Sequence, residues 1–188
     1  MSVSALKTAE SDECFLVVID VQERLMAAMP EGTRDAILKQ IGILLQASTA
    51  LKIPVTITEQ YPRGLGSTEA ELLSLSPSTA TVEKTCFSCV DADDFMTSLR
   101  KSGRRSVILT GMEAHICVLQ TALTLQGQGY QVFVVEDGVS SRTPENKNNA
   151  LQRMRQAGVI ITNTESVLFE WLADAKHAEF RTLSKLII

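Results

Sequence analysis

The sequence predicts an α/β fold: a Rossmann-like three-layer sandwich with a six-stranded parallel sheet in the order 3-2-1-4-5-6 and helices on both faces. Three observations carry that expectation. Short apolar segments rich in Val and Ile alternate with longer helical ones along most of the chain. These segments lack the in–out alternation of a half-exposed strand, as expected for strands covered on both faces. Gly103, Gly129 and Gly158 each sit between a helical run and the next strand, where a helix-ending glycine belongs. Right-handed β-α-β crossovers then lay the strands parallel, with a crevice where strands 1 and 4 diverge.

The elements follow in order. Strands are expected at 15–19, 55–58, 81–83, 106–110, 131–135 and 159–162, with Cys14 as a small packing residue just before the first. Helices are expected at 33–51, 92–102, 116–126, 145–157 and 165–174, with a further helical stretch from Lys176. Asp91 reads as the N-cap of the helix starting at Ala92. Thr143-Pro144-Glu145 places proline in a first turn, where its missing N–H costs nothing. The stretch 59–78 contains Pro62, Gly64, Gly66 and Pro77 and reads as a long binding loop or an oligomer contact. No internal repeat or linker interrupts the pattern, so residues 1–188 are expected to form a single domain.

Composition narrows the partners. A net charge of −4 without a Lys/Arg cluster argues against nucleic acid. The apolar runs are too short to span a membrane, and the segment from Met1 to Cys14 carries Lys7, Glu10, Asp12 and Glu13 instead of a signal-peptide core. A cytoplasmic location is therefore expected. The four cysteines read as reduced thiols. The glycine-bearing loop and the apolar Leu183, Leu186, Ile187 and Ile188 suggest packing between copies, a homo-oligomer of two subunits or more.

In this topology catalytic groups belong just beyond the C-terminal ends of strands 1, 3 and 4. Asp20, Lys84 and Cys117 occupy those positions. Each alone has a bland explanation: a loop acid, a surface lysine, a small buried thiol. Together they make coherent chemistry. Asp20 can take the thiol proton, Lys84 supplies a cation, and a helix start around Cys117 favours thiolate. The chain has only two histidines, so a nucleophile without a histidine base is expected.

The segments Phe15-Leu-Val-Val-Ile-Asp20-Val-Gln22, Glu83-Lys84 with Phe87-Ser88, and Thr110-Gly-Met-Glu-Ala-His-Ile-Cys117-Val-Leu-Gln-Thr-Ala122 resemble the isochorismatase-like cysteine hydrolase superfamily. The likeness runs over residues 15–172 and includes Asp137-Gly-Val-Ser-Ser-Arg142. Thr58-Glu-Gln-Tyr-Pro-Arg-Gly-Leu-Gly66 is similar to the short isochorismatase-domain proteins. The resemblance implies Asp20 as general acid/base, Lys84 as electrostatic support and Cys117 as nucleophile. It also implies a cis peptide at Met112–Glu113, which would bring the Glu113 N–H beside that of Cys117 in an oxyanion hole. The implied reaction is attack on a small-molecule carbonyl, mostly of an amide, through a thioester. Tyr61, Phe87 and Arg142 are the expected pocket-facing residues, with Arg142 alternatively structural.

The alternatives are a catalytically inactive binding or scaffolding protein on the same fold, and a vinyl-ether hydrolase of the isochorismate-cleaving kind. The nicotinamidase-like branch holds a metal through Asp and His after the second strand, whereas residues 59–68 here contain no histidine. No metal and no other cofactor are expected. Gly64-Leu-Gly66 and Gly127-Gln-Gly129 are not dinucleotide fingerprints. Cys86-Phe-Ser-Cys89 has the spacing of a redox dithiol or half a zinc site, but His115 and His177 are not placed to complete one. His115 is expected to point away from Cys117, and His177 to lie at the surface.

Overall fold

Six parallel strands form one sheet in the order β3-β2-β1-β4-β5-β6. The computed structural model describes residues 8–187, so Lys7 and Ile188 lie outside the described residues. The strands are β1 (Cys14–Ile19), β2 (Val55–Gln60), β3 (Thr81–Lys84), β4 (Ser106–Met112), β5 (Gln131–Ser140) and β6 (Ile160–Thr162). The helices are α1 (Glu23–Ala27), α2 (Thr33–Leu51), α3 (Pro62–Leu65), α4 (Ala70–Leu75), α5 (Asp93–Ser102), α6 (Leu119–Gly127), α7 (Pro144–Gln156), α8 (Thr164–Leu172) and α9 (Phe180–Leu183).

The sheet is apolar on both sides because successive side chains point to opposite faces. In β1, Leu16 and Val18 join the layer with Leu44 of α2 and Trp171 of α8. Phe15, Val17 and Ile19 join the opposite layer with Phe95 of α5, Leu125 of α6 and Met154 of α7. Residues 14–19 are all buried. Burial of a full aliphatic side chain contributes about 1.5–3 kcal/mol, and this doubly covered sheet repeats that contribution along every central strand. Gly103, Gly129 and Gly158 all adopt left-handed φ angles after helices, and Thr143 and Asn163 cap α7 and α8 through their side chains.

The structure corrects several expectations. The stretch 59–78 is not a loop: it holds α3 and α4, with Gln22 bridged to Thr68 and the Glu59 carboxylate accepting from the Thr68 N–H at 2.6 Å. Asp91 does not cap α5. Ser88 accepts from the Val90 N–H and starts a 3-10 turn over Cys89–Asp91, which leaves Ala92 at the cap position. Cys14 lies inside β1. Leu183 is buried in the chain's own core, with the partly buried Leu186 and Ile187 packed against it. Among the described residues no helix is long and apolar enough to cross a membrane.

Candidate active site

The strand ends deliver the site. β1 pairs with β4 so that Ile19 lies opposite Gly111, and β2 pairs with β3 so that Gln60 lies opposite Lys84. Asp20 follows β1 at φ 51°, a left-handed conformation uncommon for a side-chain-bearing residue and worth attention at a functional site. Its carboxylate is buried. Lys84 Nζ meets Asp20 Oδ2 at 2.7 Å, and the Thr58 hydroxyl donates to Asp20 Oδ1 at 2.7 Å. Both members of the ion pair have fully inaccessible side chains.

Lys84 spends its other donors nearby. Gln60 Oε1 accepts at 2.7 Å, and the carbonyls of Cys86 and Phe87 lie at 3.3 and 3.4 Å. Burial alone would lower the lysine's pKa, but the Asp20 carboxylate, with Cys89 and Cys117 behind it, outweighs that and holds it above the ordinary range. Lys84 is thus a fixed ammonium.

Cys117 completes the group from β4. A π-helical turn over Ala114–Val118 precedes α6, and the Glu113 carbonyl accepts from both Ile116 and Val118. Such turns recur at functional sites. The Met112–Glu113 peptide bond is cis. Cys117 is buried, and the Asp20 carboxylate and the Lys84 ammonium are the charged groups that act on it most strongly. The surroundings oppose the thiolate that a helix terminus favours. Burial first, and then the Asp20 carboxylate, push the Cys117 thiol well above the ordinary thiol range, and Lys84 offsets this only in part. These shifts favour the protonated thiol at rest, with a carboxylate in its electrostatic reach.

The remaining predicted residues divide. Tyr61 and Phe87 are both more than half exposed beside the Lys84 strand end, which makes them candidates for the mouth of the site. The Tyr61 N–H donates to the Lys84 carbonyl at 2.8 Å, and its ring packs so tightly on Gly64 that a Cβ there would lie 2.4 Å from Cδ1. A groove of about 670 Å³ is lined by Tyr61, Arg63, Lys84, Cys86 and Asp94 among others. Arg142 instead grips Glu113: its Nε lies 3.1 Å from the carboxylate and its backbone N–H donates to Glu113 Oε2 at 3.0 Å. That places it behind the cis-bonded turn as a support.

Cys86 and Cys89 are free thiols, like Cys14 and Cys117. Cys89 is buried beside Thr58 and pushed up to about 11, chiefly by burial. Among the described residues no group of three or more His, Cys, Asp or Glu is arranged to hold a metal ion. His115 Nδ1 pairs with the Ser141 hydroxyl at 3.0 Å, and the half-buried His177 accepts from the Glu179 N–H. Thr58, Gln60 and Gln22 are site-building residues that the sequence reading left unassigned. The available signal was the Thr-x-Gln spacing at the end of β2, which puts residues 58 and 60 on one face beside Lys84.

The profile described as "Isochorismatase domain" matches residues 14–166, a span that holds all three charged or thiol groups of the site. The chain belongs to the isochorismatase family. The chain is 42% identical over 144 residues to isochorismatase domain-containing protein 1 of Danio rerio, covering 77% of this chain and 50% of that protein. It thus spans about half the length of this relative. It is 39% identical over 180 residues to a secreted isochorismatase effector of Phytophthora sojae, covering 92% and 83% of the two chains. A solved structure described as the MAR1 ribonuclease of Caenorhabditis elegans superposes with a TM-score of 0.90 at 35% identity, covering 96% and 92%. Isochorismatase-family membership supports a hydrolase.

Proposed function

We propose that this isochorismatase-family protein is a cysteine hydrolase acting on a small-molecule carbonyl, by preference the C–N bond of an amide, through a thioester on Cys117. One observation carries the reading: the buried Asp20 carboxylate, paired with Lys84 at 2.7 Å, and the buried Cys117 thiol lie close enough at the sheet's switch point to act on each other electrostatically. A structural ion pair alone needs no thiol beside it.

The chemistry follows from that arrangement. As Cys117 Sγ attacks the carbonyl carbon, its proton passes to Asp20, so the charge displaced from the carboxylate appears on the substrate oxygen. Lys84 stays protonated and keeps the local charge balanced. The backbone N–H groups of Glu113 and Cys117 are assigned to the oxyanion, where one well-placed donor contributes roughly 3–4 kcal/mol. Collapse expels the amine, which takes its proton from Asp20. The restored carboxylate then activates water to hydrolyse the thioester. No metal or other cofactor enters this scheme. Tyr61 and Phe87 are assigned to the substrate's apolar part, with Arg142 holding Glu113 in place.

A small neutral substrate suits the surroundings better than a nucleic acid. Glu83, Asp91, Asp93 and Asp94 outnumber Arg63 and Lys84 along the groove and disfavour a phosphate backbone there. The test is intact-mass detection of an acyl adduct after mixing the protein with a panel of small amides and activated esters. An adduct on Cys117 that is absent from Cys117→Ala is expected. Iodoacetamide should also label Cys117 faster than Cys89, at a rate that rises with pH, because the resting thiol must lose its proton. No adduct with any substrate, together with equally slow labelling of every cysteine, would refute the catalytic reading and favour a binding protein.

A further inference from the structure

Gln60 has more geometric definition than a strand-end glutamine needs. Its Oε1 accepts from Lys84 Nζ and its Nε2 donates to the Thr85 carbonyl, both at 2.7 Å. These two partners fix the amide's orientation, since only the oxygen can face an ammonium and only the nitrogen can face a carbonyl. Its backbone is held as firmly. The buried Gln22 side chain accepts from the Gln60 N–H at 2.8 Å and donates to the Gln60 carbonyl at 3.1 Å, then reaches the Gly66 carbonyl at 2.7 Å. Gln22 thereby ties β1 and the chain before α4 to the residue that touches Lys84.

We propose that Gln60 is a positioning residue of the Asp20–Lys84–Cys117 site, setting its charge balance by giving the ammonium a neutral acceptor. This rests on the cysteine-hydrolase reading above. An ammonium has three donors and no acceptor. Asp20 takes one, Gln60 takes one, and the Cys86 and Phe87 carbonyls share the third. Among the described residues Asp20 is the only carboxylate within ion-pair distance of Lys84. One cation thus faces one carboxylate, and the developing thiolate or oxyanion adds a single negative charge. A carboxylate at position 60 would make two anions share the one cation before the reaction begins. Every further negative charge would then meet repulsion. The neutral amide holds Lys84 in the same place without that cost.

Gln60→Glu is the decisive variant because it keeps size and reach while adding charge. The readout is the pH–rate profile of Cys117 alkylation by iodoacetamide, followed by intact mass. A like charge close to a titrating group disfavours its ionised form by about 1–3 pH units. The profile should therefore move up by one unit or more, with labelling near neutral pH slowed about tenfold or more. A profile superimposable on wild type, in a variant with unchanged circular dichroism and melting midpoint, overturns the proposal. A merely structural role would lower the melting midpoint and leave the profile in place. Gln60→Met gives an independent reading should the glutamate variant fail to fold. With the neutral acceptor gone, the Lys84 Nζ resonance in nitrogen-15 NMR should titrate at least one unit lower than in wild type, and an unchanged titration counts against the role. Failure of the underlying hydrolase reading looks different: wild-type Cys117 would then label no faster than Cys89.

Discussion

Replacing Lys84 by Met is expected to destabilise the fold by about 3–5 kcal/mol and to slow Cys117 alkylation at the same time. The size follows from burial. Both side chains of the Asp20–Lys84 pair are inaccessible to solvent, so removing the cation leaves a desolvated carboxylate with only the Thr58 hydroxyl donating to it. Breaking such a pair from one side costs far more than the pair's net contribution. The double variant Asp20→Asn/Lys84→Met should recover much of the loss in urea unfolding, because it removes the orphaned charge as well. It should not recover Cys117 reactivity, because the base proposed for that thiol is removed with the ion pair. If the single variant lost less than about 1 kcal/mol, the magnitude expected of a surface ion pair, the buried pairing would be wrong.

That pair also marks how far the sequence could be read. Asp20 and Cys117 were legible because each follows a strongly apolar strand, and Lys84 because it ends the short third strand; the topology carries those ends to one crevice. The α2 boundaries, Thr33–Leu51, were equally legible, since nineteen residues with apolar positions on a helical period leave little choice. The short helices α3 and α4 were not. Four and six residues are too few to show a period, and they form because Gln22 and Glu59 bind the backbone around them. The electrostatic setting of Cys117 was legible only in part, for a similar reason. A helix start favours thiolate locally, but burial and the carboxylate that follows β1 oppose it, and neither can be inferred from the residues around the cysteine. Gln60 was missed because its meaning lies in the β2–β3 register rather than in its own segment.

Gly111→Ala should damage stability and site together, and this separates a packed scaffold from a tuned one. Gly111 adopts φ +100° directly opposite Ile19, and an added Cβ would lie 2.0 Å from the Ile19 carbonyl oxygen and 2.7 Å from its nitrogen. Both obstacles are backbone, so no side-chain rotation relieves them. The left-handed conformation costs an alanine roughly 1–2 kcal/mol, and overpacking a close-packed interior adds roughly 1–3 kcal/mol. A loss of about 2–5 kcal/mol in chemical unfolding is therefore expected. The chemistry should suffer beyond that loss, because Ile19 directly precedes Asp20 and Gly111 lies two residues before Glu113. Moving β1 from β4 by even a few tenths of an ångström displaces Asp20 relative to the turn that carries Cys117. Gly103→Ala is the matched control: φ is +70°, but nothing lies within 4 Å of the added Cβ. It should lose only the conformational part of the cost and keep wild-type Cys117 labelling. Equal labelling in both variants, with both folded, would mean that the β1–β4 spacing does not set the Asp20–Cys117 contact.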